Sequence, residues 1–228
     1  MPHDKDITRV AGSYDRTIRE GIKGRDLYRE LPERITSHPA FRPFSASEGN
    51  GSRNPAIRDY LAPMPGEKFL DMGCCANILN YRLDEWPSEY HGVDASGETI
   101  SLLERVVKKE GRKVGGLYRA SVHAMPFQDG AFQLAACVGV LEYFPAGYAA
   151  EVLREAYRVL APGGRFYVDI PNITHPGVEA MYLVEEHMGR PILLRMPSAE
   201  FEGMLRGLFR IDRTDTSRVM AGYCLTRD

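Results

Sequence analysis

Lys68-Phe-Leu-Asp-Met-Gly-Cys-Cys-Ala-Asn77 is the stretch on which the fold turns. Phe69-Leu70 reads as a buried strand that ends in an acidic residue, Asp71, and a tight turn at Gly73. Ile78, Leu79, Leu83 and Trp86 then recur at helical spacing until Pro87. A strand, a glycine turn and a helix start make a nucleotide site, because amides point out of the helix end and the turn lets a ligand approach the backbone. Such turns usually carry two or three glycines. This one carries Gly73 alone.

Downstream, His91-Gly-Val-Asp94 is the next strand, and Ser96 is placed to cap a helix with Ile100, Leu103 and Val107 on one face. A weaker strand lies at 116–119. Residues 132–138 are nearly all apolar, as expected of a central strand covered on both faces. An amphipathic helix spans about 146–160, Pro162-Gly-Gly164 ends it, and 165–170 is another strand. Strands alternating with helices mean right-handed βαβ units, a parallel sheet and helices on both faces. Phe201, Met204, Leu205 and Leu208 form a helix face; two strands near 209–214 and 218–226 are close enough to be an antiparallel hairpin. Residues 172–197 read as an insertion, with one helix around 178–187.

Upstream, Val10, Tyr14, Ile18 and Ile22 recur every four residues and predict an amphipathic helix. Leu27, Tyr28 and Leu31 predict a second, stopped by Pro32, and the Pro39, Pro43 and 45–52 stretch reads as loop. Residues 1–55 are expected to form a helical and loop lid, and 56–228 the core.

The chain has 228 residues, 43% of them hydrophobic, enough for a sizeable core. Its 29 basic and 31 acidic residues give a net charge of −2, which argues against a nucleic-acid partner. No apolar run is long enough for a bilayer span, and no apolar signal core follows Met1, so a soluble cytoplasmic monomer or homodimer without membrane contact is the expectation. Cys74, Cys75, Cys137 and Cys224 match no zinc spacing; they read as reduced thiols, and no metal is expected. The sharper alternative is a soft-metalloid substrate held by Cys74, Cys75 and Cys137.

In an open α/β sheet, ligands bind outside the carboxyl ends of the strands. There the turn 73–77 meets Asp94, 23 residues after Asp71, where an acid accepts ribose hydroxyls. Ala95 and the Ser121-Val122 backbone complete an adenosine pocket, with the rest of the ligand over Gly73. Residues 139–143 follow the fourth strand.

Five motifs in order make the chain resemble the class I S-adenosylmethionine-dependent methyltransferases of the small-molecule, type-11-like kind. They are Phe69-Leu-Asp-Met-Gly-Cys74, Gly92-Val-Asp94, Met125-Pro-Phe127 with Asp129-Gly and Phe132, Val140-Leu-Glu-Tyr143, and Val159-Leu-Ala-Pro-Gly-Gly164. The resemblance implies a Rossmann-like, doubly wound, seven-stranded sheet, mostly parallel with a C-terminal antiparallel hairpin. It implies S-adenosyl-L-methionine as cofactor and a small-molecule acceptor. By the same analogy, Tyr14 is a lid tyrosine that reaches the cofactor, Arg53 meets its carboxylate, and Asp71, Gly73, Cys74, Cys75, Asn77 and Gly139 surround it. Glu142 and Tyr143 fall on the acceptor side. Three positions depart from the family pattern: Cys75 and Asn77 replace its second and third glycines, and Ser121 replaces a common adenine-contacting acid. The alternative reading is a non-catalytic cofactor-binding or accessory protein whose turn has degenerated.

Overall fold

The 68–72 run, buried from Phe69 to Met72, forms an interior strand of a seven-stranded sheet. In the computed structural model, which describes residues 3–48 and 55–228, the strands are β1 (Lys68–Met72), β2 (Glu89–Asp94), β3 (Gly116–Arg119), β4 (Phe132–Cys137), β5 (Leu160–Pro171), β6 (Phe209–Asp215) and β7 (Met220–Arg227). Their order is β3-β2-β1-β4-β5-β7-β6. The first five are parallel, and β7 runs antiparallel between β5 and β6. This is the doubly wound sheet with the terminal hairpin that the sequence predicts.

The helices are α1 (Asp4–Ile22), α2 (Glu33–Thr36), α3 (Phe41–Glu48), α4 (Pro55–Leu61), α5 (Asn77–Tyr81), α6 (Gly97–Glu110), α7 (Ala146–Val159), α8 (Val178–His187) and α9 (Ser198–Leu205). Side chains alternate across each strand. Leu70, Met72 and Cys137 therefore join one core with Tyr148 and Leu153 of α7, while Phe69 and Leu134 join the other with Ile78 of α5 and Ile100 of α6. Fully burying one such Leu or Phe side chain contributes about 1.5–3 kcal/mol. Ser96 caps α6 as expected, its hydroxyl accepting the Thr99 N–H at 2.9 Å.

Three expectations are corrected. The helix after β1 is short: α5 ends at Arg82, which takes a left-handed φ of 54°, and only a 3-10 turn at Leu83–Glu85 follows. Leu27–Leu31 forms turns and no helix, because the Asp26 side chain takes the Tyr28 N–H at 3.0 Å and competes with helical bonding. Conversely, 41–48 is helical, since Pro43 sits in the first turn, where its missing N–H is not needed. α3 lies so close to the start of α8 that a Cβ on Gly177 would come 2.5 Å from the Phe44 nitrogen.

Candidate functional site

A cavity of about 1100 Å³ opens at the carboxyl ends of β1, β2 and β4, and the N-terminal helices line its other side. Gly73 forms the turn at its floor with φ +77°; a Cβ there would come 2.4 Å from Val140, so only glycine fits. The turn is tied to β2 by the Gly73 N–H, which donates to the Val93 carbonyl at 2.8 Å. Asp71, just before it, is buried and accepts the Tyr90 hydroxyl at 2.9 Å and the Asn77 side-chain amide at 3.2 Å. Burial raises its pKa from 3.8 to about 7, against those two hydrogen bonds, with a further push from Asp94.

Cys75 lines the cavity with φ +37°, a conformation costly for any residue with a Cβ. Its N–H donates to Asp94 Oδ2 at 2.9 Å, while Asp94 Oδ1 accepts the Ser96 N–H at 2.8 Å. Burial pushes the Cys75 thiol up to about 12, so it stays protonated. Cys74 differs from the expectation. Its side chain is fully buried in the Phe69 core and its N–H donates to the Val93 carbonyl at 3.0 Å, so it faces away from the cavity. Cys137 lies in the opposite core, so the three cysteines do not converge on one ion or metalloid.

Ala95, Ser121, Val122 and Gly139 all line the cavity. The Ser121 hydroxyl lies 2.7 Å from His123 Nδ1 and 3.0 Å from the Tyr148 hydroxyl. Arg53 lies outside the described residues.

The same cavity is lined by Tyr14 of α1 and by Tyr143, whose hydroxyls are 3.0 Å apart. Glu142 and Tyr143 sit in a 3-10 turn at Leu141–Tyr143. The Leu193 and Leu194 N–H groups donate to the Glu142 carbonyl at 2.8 and 3.0 Å, which fastens the insertion to this turn. The Tyr143 hydroxyl donates to Glu185 Oε2 at 3.0 Å. Burial raises the pKa of Tyr14 and Tyr143 well above that of a free phenol, so both remain protonated.

Sequence reasoning missed Asp169, Glu185 and Tyr148, all at the cavity, and the buried Arg190 behind it. Only Asp169 left a signal, as an acid inside the apolar 165–170 strand. Asn172, just past β5, caps its own turn, its Oδ1 accepting from the Thr174 N–H and hydroxyl.

These residues fit an adenosine-bearing cofactor. Each Asp94 oxygen accepts one backbone N–H and retains a lone pair toward a ribose hydroxyl. Ligand pockets usually enclose about 300–1,000 Å³, so this volume accommodates a cofactor beside a second small molecule. The five-residue α5 adds little through its dipole.

Residues 70–168 match the family model described as a methyltransferase domain. The chain is 27% identical over 124 residues to a ubiquinone biosynthesis O-methyltransferase of Xylella fastidiosa, covering 53% of this chain and 50% of that one. It is 27% identical over 132 residues to a ubiquinone/menaquinone biosynthesis C-methyltransferase of Ruegeria, covering 56% and 52%. The chain thus spans about half the length of the curated relatives it matches. Among solved structures, a protein of Pyrococcus horikoshii overlays with a TM-score of 0.64 at 16% identity, covering 87% of this chain and 100% of that one. A S-adenosylmethionine-dependent methyltransferase of Methanosarcina mazei overlays at 0.61 with 20% identity, covering 76% and 97%. The matched core and the sheet order together support a class I S-adenosylmethionine-dependent methyltransferase.

Proposed function

We propose that the protein transfers a methyl group from S-adenosylmethionine to a small-molecule acceptor. The observation that carries this reading is one cavity lined both by Asp94 and the Gly73 turn and by Tyr14, Glu142 and Tyr143. When bound, the cofactor supplies an electrophilic methyl group on a sulfonium. Asp94 holds the ribose, and Ala95, Ser121, Val122 and Tyr148 line the adenine. Asp71, through Asn77, keeps the turn in shape. Glu142 and Tyr143 orient the acceptor, so the protein works mainly by alignment. The N-terminal helices act as the lid, the core extends to the C-terminus, and the 172–197 insertion walls the acceptor side. That α1 and α3 residues line the cavity supports the lid assignment.

Cys75 favours a second reading, a protein that binds the cofactor without turnover, because its Cβ occupies a turn position at φ +37°. Isothermal titration with S-adenosylmethionine and S-adenosylhomocysteine is the direct test. Heat with both supports the first reading or the second, and turnover on an acceptor panel separates them. No heat with either eliminates both.

A further inference from the structure

Tyr14, Tyr143 and Glu185 form one hydrogen-bonded chain with a fixed direction. A phenol carries a single hydrogen. Tyr143 donates its own to Glu185 Oε2 at 3.0 Å. The 3.0 Å contact between the two tyrosine hydroxyls is therefore a donation from Tyr14 to Tyr143. Glu185 holds this direction, because a carboxylate paired with a guanidinium accepts and does not donate, and its Oε2 also takes the Arg190 Nε. The Tyr14 oxygen keeps its lone pairs. The two Arg190 Nη atoms go to the Ser13 and Tyr28 hydroxyls, and the Tyr14 hydroxyl makes no other hydrogen bond among the described residues. Tyr14 is half-buried and lines the cavity together with Phe41, Phe44 and Met181.

A ligand group that suits the Tyr14 oxygen must donate a hydrogen bond. A ketone, an ether or a carboxylate brings only lone pairs and meets lone pairs. An ammonium can donate, but the Arg190 guanidinium already lies 4.1 Å over the Tyr14 ring, so a second cation gains no π-face there. A neutral hydroxyl donates without adding charge. We infer that Tyr14 selects the methyl acceptor by taking a hydrogen bond from its hydroxyl, and that Tyr143 and Glu185 are positioning residues that keep the Tyr14 hydrogen turned away from the ligand. The acceptor is then an alcohol or a phenol, not a ketone, ether or acid. This rests on the methyl-transfer reading above.

The test is calorimetric titration of the protein saturated with S-adenosylhomocysteine. The probes are 4-ethylphenol, 4-ethylanisole and 1-ethyl-4-fluorobenzene, in which a non-donor of similar size replaces the hydroxyl. The phenol should bind about two- to tenfold more tightly than either of the others, the range of one net neutral hydrogen bond. Tyr14→Phe keeps the ring beneath Arg190 and should erase that preference, while S-adenosylhomocysteine affinity changes by less than about threefold. Tyr143→Phe frees the Tyr14 hydrogen to turn toward the ligand, so 4-ethylanisole should gain on 1-ethyl-4-fluorobenzene. Tyr143→Phe acting only through packing weakens all three probes alike and leaves their ratios unchanged, and that result overturns the inference. Absence of phenol binding, or equal binding of the three probes to the wild type, also overturns it and leaves the methyl-donor reading standing. A tenfold or greater loss of S-adenosylhomocysteine affinity in Tyr14→Phe, with the probe ratios unchanged, overturns it by assigning the Tyr14 oxygen to the donor. Failure of the wild type to bind S-adenosylhomocysteine removes both readings.

Discussion

The guanidinium carbon of Arg190 lies 4.1 Å above the ring of Tyr14. Arg190 is 0% exposed, although it leaves a polar turn after α8. Its Nε donates to Glu185 Oε2 at 2.5 Å, its Nη1 to the Ser13 hydroxyl at 3.3 Å, and its Nη2 to the Tyr28 hydroxyl. The same Glu185 oxygen accepts from Tyr143, whose hydroxyl meets that of Tyr14. The ring of contacts thus closes across the N-terminal helix, the turn after β4 and the insertion. Arg190→Met keeps much of the stem and deletes the charge, which strands Glu185. Breaking a buried pair in this way should cost about 3–5 kcal/mol in urea denaturation. The Glu185→Gln/Arg190→Met double variant should recover part of it. A single-variant loss below about 1 kcal/mol, the level of a surface pair, shows that the contact does not hold the segments together.

Cys75 combines a left-handed backbone with a Cβ facing the cavity, so two opposite substitutions test it. Cys75→Gly relieves a left-handed penalty of roughly 1–2 kcal/mol but adds about 0.5–1 kcal/mol of unfolded-chain entropy. Stability should therefore rise by no more than about 1.5 kcal/mol, while S-adenosylhomocysteine affinity, read by calorimetry, increases. Cys75→Val puts a β-branched residue at φ +37° and should lower both. Unchanged affinity in the glycine variant means that the backbone has already made room for the ligand.

Asp71 links the turn to pH. Its pKa is about 7 in the folded protein against an ordinary 3.8. For a raised carboxyl, the folded state holds the proton more tightly. Its contribution to stability is complete below about pH 4 and is lost as pH rises to about 7. Over that window, Asp71 should tilt the stability curve downward by at most about 1.4 kcal/mol per pH unit. Asp71→Asn removes the titration. The difference between wild-type and variant unfolding free energies from pH 4 to 7 should therefore slope, whereas a flat difference shows that Asp71 ionises normally.

The sheet was legible because each strand is a short apolar run bounded by Gly, Pro or a capping residue, and these local signals agree with the tertiary arrangement. Ser96 and Gly73 act where their chemistry requires. The break at Arg82 was not legible, because Ile78, Leu79 and Leu83 keep helical spacing across it and nothing in the run marks a left-handed residue. Arg190 was hidden for a different reason. An arginine in a polar turn reads as solvated, and its burial depends on Tyr14, Tyr28 and Tyr143, which are far apart in the chain. Local periodicity carries no information on such contacts. Cys74 was misplaced because adjacent residues in a turn after a strand face different ways, and only the observed backbone decides which one meets the cavity.

Asp94 is the residue on which cofactor recognition should depend most. Its two oxygens accept the Cys75 and Ser96 N–H groups, so the side chain both shapes the turn and faces the ligand. Asp94→Asn turns one acceptor into a donor facing an N–H, which should cost roughly 1–3 kcal/mol of stability. It also removes the charge from any hydrogen bonds to ribose hydroxyls, each worth about 1.5–3 kcal/mol, so affinity should fall by ten- to a hundred-fold or more. A turn that has merely collapsed would lose affinity too, so the ligands must separate the two effects. 5′-Methylthioadenosine carries the ribose and adenine without the amino-acid arm. If Asp94 holds the ribose, Asp94→Asn should weaken 5′-methylthioadenosine and S-adenosylhomocysteine by the same factor in calorimetry. A loss confined to S-adenosylhomocysteine would place the damage at the Gly73–Cys75 turn, beneath the amino-acid arm, and would remove Asp94 from ribose recognition.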